Sequence, residues 1–204
     1  MADASADSAI ADLVRPHRHG PKGRAGIRLI ERTGIAIWQV AAWRAADVPA
    51  VRSALRKSLR LTLPEQPNGA AGAGGATAIW IAPRRLWLVA SAQDGVSLAG
   101  LPDLLAARAA VTDLSHARVV LRLSGPEARA ALAKLCRIDL HPNAFAPGRT
   151  AQTPLGQVPA LIHGVDEAPT FDLYLPRSLA RSAAEMLIDA AAEFGLAVGM
   201  QPTR

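Results

Sequence analysis

The chain has 204 residues, half of them hydrophobic, and 23 Lys and Arg against 17 Asp and Glu, for a net charge of +6. That is enough chain for one domain with a real core, while a single cysteine, Cys136, excludes an internal disulfide and fits a reducing cytoplasm. No apolar run approaches bilayer length, and the arginines are scattered without interleaved aromatics. The basic excess therefore points to solvated surface or an acidic partner protein rather than to nucleic acid or a membrane.

Residues 1–26 are poor in apolar positions, carry the run RPHRHGPKGRAG and lack the apolar stretch of a secretory signal. They are expected to form a flexible basic arm. The spacing then predicts strands over Arg28–Arg32 and Ile35–Ala41, a helix over Val48–Leu59 capped by Asp47, and a strand over Arg60–Leu63. Pro64–Ala76, rich in Gly, Ala and Pro, is expected to be a surface loop. Strands Thr77–Ile81 and Leu86–Ala90 are joined by the Ala82-Pro83-Arg84-Arg85 turn, with a helix over Leu98–Arg108.

The second half repeats that order: strands Val111–Leu114 and Ala117–Leu123, helix Pro126–Cys136, strands Thr150–Leu155, Pro159–His163 and Phe171–Leu175, and helix Arg177–Phe194 ending at Gly195. Ala117–Leu123 alternates as a half-buried strand does. Ser124-Gly125-Pro126-Glu127 has the spacing of a capping box. Pro49, Arg52, Ala54 and Leu55 echo Pro126, Arg129, Ala131 and Leu132. The expectation is an α+β fold: one domain over 27–198, built of two β2-α-β3-α repeats at 27–109 and 110–198.

Few residues are placed for chemistry. His17 and His19 fall in the arm, and His116, His141 and His163 are dispersed, so no zinc ligand set assembles. Gly69–Gly75 lacks both the P-loop and the GxGxxG pattern. Ser115-His116 is not a dyad, no GxSxG occurs, and Cys136 ends an amphipathic helix as a structural thiol. Asp113 and Ser115 are expected to satisfy turn amides. Trp80 and Trp87 are expected in the core, and Trp38 and Trp43 as interface anchors. No catalytic, cofactor-binding or metal-binding residue is assigned.

The run Asp113-Leu114-Ser115-His116, a following strand, Ser124-Gly125-Pro126, Ala128 and Leu132 resembles the folate-binding domain of the glycine-cleavage T protein. Adding Cys136, Asp139-Leu140-His141-Pro142, Phe145, Gly148, Phe171-Asp172-Leu173, Pro176-Arg177-Ser178 and Asp189 to Gly195, the chain is more similar to one branch of that group. That branch is the gamma subunit of heterotetrameric sarcosine oxidase. The resemblance is strong over about residues 110–195, weaker over 27–109 and absent before that. It implies a duplicated aminomethyltransferase-like fold and a complex that demethylates sarcosine to glycine, passing the one-carbon unit to tetrahydrofolate and making hydrogen peroxide. It further implies alpha, beta and delta partner subunits, chiefly alpha. FAD, FMN, NAD, tetrahydrofolate and zinc are then held by those partners rather than by this chain alone.

In T proteins the catalytic aspartate lies on a strand that corresponds here to Gly156–Ile162, where Val158, Pro159 and Ala160 stand in place of carboxylates. An asparagine-bearing strand end is likewise replaced by Leu175-Pro176-Arg177, and the nearest acidic pair, Asp166-Glu167, falls in a loop. Without a carboxylate there, nothing on that strand can move a proton at the folate amine. The chain therefore reads as a non-catalytic subunit that stabilises the folate-binding part of the large subunit. Two alternatives stay open: a gamma-like subunit of a related N-methyl amino acid oxidase or dehydrogenase, and a stand-alone folate-dependent aminomethyltransferase. An RNA- or iron–sulfur-assembly relative is disfavoured, because Leu135-Cys136-Arg137-Ile138 does not match that group's KGCYxGQE-like motif.

Overall fold

The computed structural model describes residues 8–13, 17–20, 25–73, 75–91 and 97–200, without the side chains of His17 and Met200. The chain divides into two units, one formed by Met1–Thr33 with Ala117–Arg204 and the other by Gly34–His116.

The first unit is a seven-stranded sheet. Its strands are β1 (His17–His19), β2 (Ile27–Arg32), β8 (Arg118–Ser124), β9 (Thr150–Leu155), β10 (Val158–Asp166), β11 (Thr170–Pro176) and β12 (Leu196–Met200). Their spatial order is β1-β12-β2-β8-β11-β10-β9, antiparallel throughout except for β12 beside β2. Alternate residues of each strand face opposite ways. Leu29, Leu121, Leu123, Ile162, Phe171 and Leu173 thus meet the buried sides of α3 (Ala128–Ala133) and α4 (Ala180–Ala192) in one apolar cluster. In α4 the buried positions are mostly alanine: Ala180, Ala183, Ala184, Ala190 and Ala191 around Leu187. Small side chains on that face bring the helix close to the sheet, which accounts for part of the alanine-rich composition. Gly195, in the left-handed region at φ 72°, ends the helix and turns the chain into β12.

The second unit is a five-stranded antiparallel sheet in the order β4-β5-β6-β3-β7. It comprises β3 (Ile35–Ala42), β4 (Ala70–Ala73), β5 (Ala76–Ala82), β6 (Arg85–Ser91) and β7 (Ala109–Asp113), with α1 (Val48–Leu59) and α2 (Leu101–Leu105). In α1, Val51 and Leu55 face the sheet with Val48, Ala54 and Leu59 alongside. Pro49 sits in the first turn, where its missing N–H breaks no helical bond. Asp47 flanks the helix but makes no side-chain cap. Its carboxylate instead takes the Arg44 amide at 3.2 Å and the Arg44 Nε at 3.0 Å, with Arg108 at 3.8 Å.

The α+β class stands, with several local corrections. Arg60–Leu63 joins no ladder: Arg60 is left-handed at φ 51°, and Leu61 and Leu63 are buried as a connection rather than paired as a strand. Part of the expected loop is the edge strand β4, whose small residues tolerate a tight return, since a Cβ on Gly72 would lie 2.7 Å from the Ala76 carbonyl. The capping box does not form. Ser124 is still in β8, α3 starts at Ala128, and no side chain caps it. Of the expected arm, residues 8–13 and 17–20 pack on the first unit: Ile10 is fully buried, Ser8 donates to the Glu31 carboxylate, and β1 pairs with β12. The rest of the arm lies outside the described residues. The opening strand of each expected half lies in the other half's sheet, β2 beside β8 and β7 beside β3. No helix among the described residues is long and apolar enough to cross a membrane.

Candidate functional site

The strand that matches the catalytic strand of T proteins is β10, entered by the Gly156-Gln157 turn from β9. Val158, Ala160 and Ile162 point into the apolar cluster, and Pro159 is exposed. This stretch is packing material, with no ionisable group between Gly156 and Ile162. Asp166 and Glu167 are exposed, and Asp166 Oδ1 accepts the Ala168 amide at 3.0 Å, closing the turn into β11.

The opposite face of the same sheet is not a solvated one. Val120, Leu161, Tyr174 and Thr150 are buried there, so β8 is covered on both faces rather than half-buried. On this face sits Asp172, its side chain 3% exposed, between two guanidinium groups. Arg122 donates from Nε to Oδ1 at 2.7 Å and from Nη2 to Oδ2 at 2.8 Å, a bidentate fork. Arg32 donates from Nη1 to Oδ2 at 2.8 Å. The arginines keep a path to solvent, at 17% for Arg32 and 29% for Arg122. Burial works against the Arg122 charge, but the Asp172 hydrogen bond and charge outweigh it and hold its pKa above the ordinary value.

His163 pairs with Asp172 across the β10–β11 ladder and is 8% exposed. Its Nδ1 and the Arg32 Nε are buried without a hydrogen-bond partner. Burial drives the His163 pKa below 6.5; Asp172 pulls it back up, and Arg122 and Arg32 push it further down. Burial likewise raises the Tyr174 phenol. The cluster is thus a carboxylate locked by two cations beside a neutral imidazole and a neutral phenol. Asp172 has no oxygen free of a cationic donor, so it is poorly placed as a general base.

The depressed His163 pKa fixes the sign of a pH dependence. The unfolded chain binds a proton near 6.5, before the folded one does. This contribution to stability is therefore complete above that pH and is lost as pH falls toward the folded value. The denaturation midpoint should drop between about pH 7 and about pH 5, and His163→Gln should flatten that drop. An equal slope in the variant would remove His163 as the cause.

The other sequence-marked residues are structural. Ser115 Oγ accepts the Ile37 amide at 3.0 Å and donates to Asp113 Oδ1 at 2.5 Å, so this pair clamps a turn as expected. Cys136 is buried, donates to the Leu132 carbonyl at 3.3 Å, and has its thiol pKa raised by burial. His141 is exposed, with Nδ1 accepting the Asn143 amide at 3.3 Å. Among the described residues no three His, Cys, Asp or Glu side chains converge as a metal site. Trp87 is buried and Trp80 packs partly buried on the second unit's cluster; Trp38 packs there too, leaving Trp43, 55% exposed, as the outward-facing tryptophan.

Sequence reasoning missed the Arg32–Asp172–Arg122 cluster. A signal was present: Asp172 interrupts the apolar strand Phe171–Leu175 at a position in phase with Tyr174, which only a buried ion pair readily explains.

The fold and this packed β10 strand define a class. Residues 58–203 match the GCVT N-terminal domain family. The fold is shared by the glycine cleavage system aminomethyltransferase T from Bartonella henselae, at a TM-score of 0.56 and 21% identity, over 83% of this chain and 50% of that one. Within that class the resemblance narrows. The chain is 39% identical over 157 residues to the sarcosine oxidase subunit gamma of an Arthrobacter species, covering 74% of each. It also matches a chain of heterotetrameric sarcosine oxidase from Corynebacterium sp. U-96, in complex with pyrrole 2-carboxylate, at a TM-score of 0.73 and 28% identity, over 86% of this chain and 88% of that one. The chain belongs to the sarcosine oxidase gamma subunit family.

Proposed function

We propose that this chain is the non-catalytic gamma subunit of a heterotetrameric sarcosine oxidase-type flavoenzyme that oxidatively demethylates sarcosine to glycine in the cytoplasm. Its partners are alpha, beta and delta subunits, chiefly alpha, and they carry FAD, FMN, NAD, tetrahydrofolate and zinc. Its role is to pack against and stabilise the folate-binding part of the large subunit, as one duplicated domain whose opening strands are exchanged between two sheets. The carrying observation is β10: where an aminomethyltransferase needs an acid, Val158, Pro159 and Ala160 offer none, and the carboxylate buried on that sheet, Asp172, is held by Arg32 and Arg122. The kinship to gamma subunits supplies the partner class.

A tagged copy drawn gently from native cell extract tests this. The expected result is a yellow, flavin-bearing assembly with three other chains. A lone colourless chain would overturn the reading, and saturable tetrahydrofolate binding by that chain would favour the aminomethyltransferase instead.

A further inference from the structure

In the second unit, a groove of about 290 Å³ opens to solvent between α1 and the β5–β6 hairpin. Its floor is Val40, Val51 and Leu86, residues of the unit's own core, and Trp80 and Pro83 are among its walls. The core is thus left open at one edge rather than sealed by a side chain of the unit. The space lies at the lower limit of clefts that hold small molecules, about 300–1,000 Å³, and suits a single aromatic or branched side chain.

The rim is cationic. Arg52 lies with its guanidinium carbon 5.9 Å from the centre of the Trp80 ring, and Arg84 and Arg85 project from the hairpin turn. Arg84 and Arg85 form no salt bridge among the described residues; Arg84 Nη1 donates at 2.7 Å to a backbone carbonyl, that of Trp43. The nearby carboxylate, Asp47, is already engaged by Arg44 and Arg108. Trp43 follows directly on Ala42 of the groove lining and is more than half exposed. An apolar slot the size of one side chain, an exposed tryptophan and unneutralised arginines together have the composition of an interface hot spot. They do not resemble ordinary surface, where carboxylates would balance the charge.

We propose that this face docks an acidic segment of a partner subunit bearing one large apolar anchor. The anchor fills the groove, its flanking carboxylates meet Arg52, Arg84 and Arg85, and Trp43 packs over it. Charge complementarity commits the occupant: a second copy would bring the same arginines against themselves, and like charges oppose that pairing. The proposal rests on the gamma-subunit reading above.

The test is co-expression with the other three subunits, using the double variant Arg84→Glu/Arg85→Glu and, separately, Trp43→Ala. All three positions are exposed, so circular dichroism and thermal midpoint of the isolated chain should match wild type. The yield of co-purified complex should fall at least about tenfold for the double variant. The wild-type complex should loosen steeply with salt, because the contacts are ionic. If wild type and both variants assemble equally, the docking surface is overturned while the gamma-subunit reading stands. If wild type itself stays out of the complex, both are overturned. If the isolated chain self-associates and the variants abolish this, the groove belongs to a second copy and the proposal is likewise overturned.

Discussion

Replacing Asp172 by alanine should destabilise the first unit by roughly 3 kcal/mol or more, the range found when one partner of a buried ion pair is removed. The carboxylate accepts three charge-assisted hydrogen bonds, from Arg32 and from both ends of the Arg122 fork. Without it, two like charges remain side by side on a covered sheet face, against Leu161, Val120 and Tyr174. The arginines reach water in part, which puts the estimate at the lower end of the range for fully buried pairs. The double variant Asp172→Leu/Arg122→Met separates two meanings of this number. If the loss comes from stranded charge, the double variant should recover much of it, because an apolar pair of similar volume is often as stable as a buried ion pair. Urea denaturation of the three proteins reads the result. A single-variant loss under about 1 kcal/mol would mean that the cluster behaves as a surface salt bridge.

The same cluster shows where the sequence was legible and where it was not. Strand positions could be read because period-two alternation is local: β8, β9 and β11 fall within a residue or so of expectation. The apolar stripe of α1 was equally local, and its ends match. What a strand faces is not local. Arg118, Val120 and Arg122 alternate just as a solvated face would, yet Val120 is buried and Arg122 is tied to a residue 50 positions later. Strand partnership is also non-local, so the exchange of β2 and β7 between the sheets left no mark in hydrophobic pattern. β12 was missed because Leu196–Met200 is short and follows a glycine that reads as a simple stop. On the functional side, the absence of a carboxylate on β10 could be read directly from residue types. The groove beside Trp43 could not, since it depends on what the hairpin and α1 leave unfilled.

Gly125 carries the other large expected effect, and it corrects the reading of the Ser124–Glu127 motif. The residue has φ +123°, a region that L side chains rarely adopt, and a Cβ placed there would lie 2.3 Å from the Gly26 carbonyl oxygen. That carbonyl belongs to the chain entering β2, whose strand bonds begin one residue later at Ile27. Gly26 donates to the Phe194 carbonyl at 3.1 Å, and Ile27 donates to that of Gly195 at 3.1 Å, so the neighbouring backbone is pinned and cannot step aside cheaply. The motif is thus a crossing of two backbones at the β8–α3 corner, where only glycine fits. Gly125→Ala should cost more than about 3 kcal/mol, combining 1–3 kcal/mol of backbone strain with the displacement of β2. Two comparisons make the prediction specific. Ser124→Ala should change stability by no more than about 0.5 kcal/mol, because Ser124 caps nothing, whereas a working capping box would lose about 1 kcal/mol. Gly100→Ala, with ordinary φ and open space around its Cβ, should be neutral or stabilising by up to about 1 kcal/mol. Thermal and urea midpoints of the three variants decide the matter: tolerance of alanine at 125 with sensitivity at 124 would restore the capping box and remove the backbone crossing.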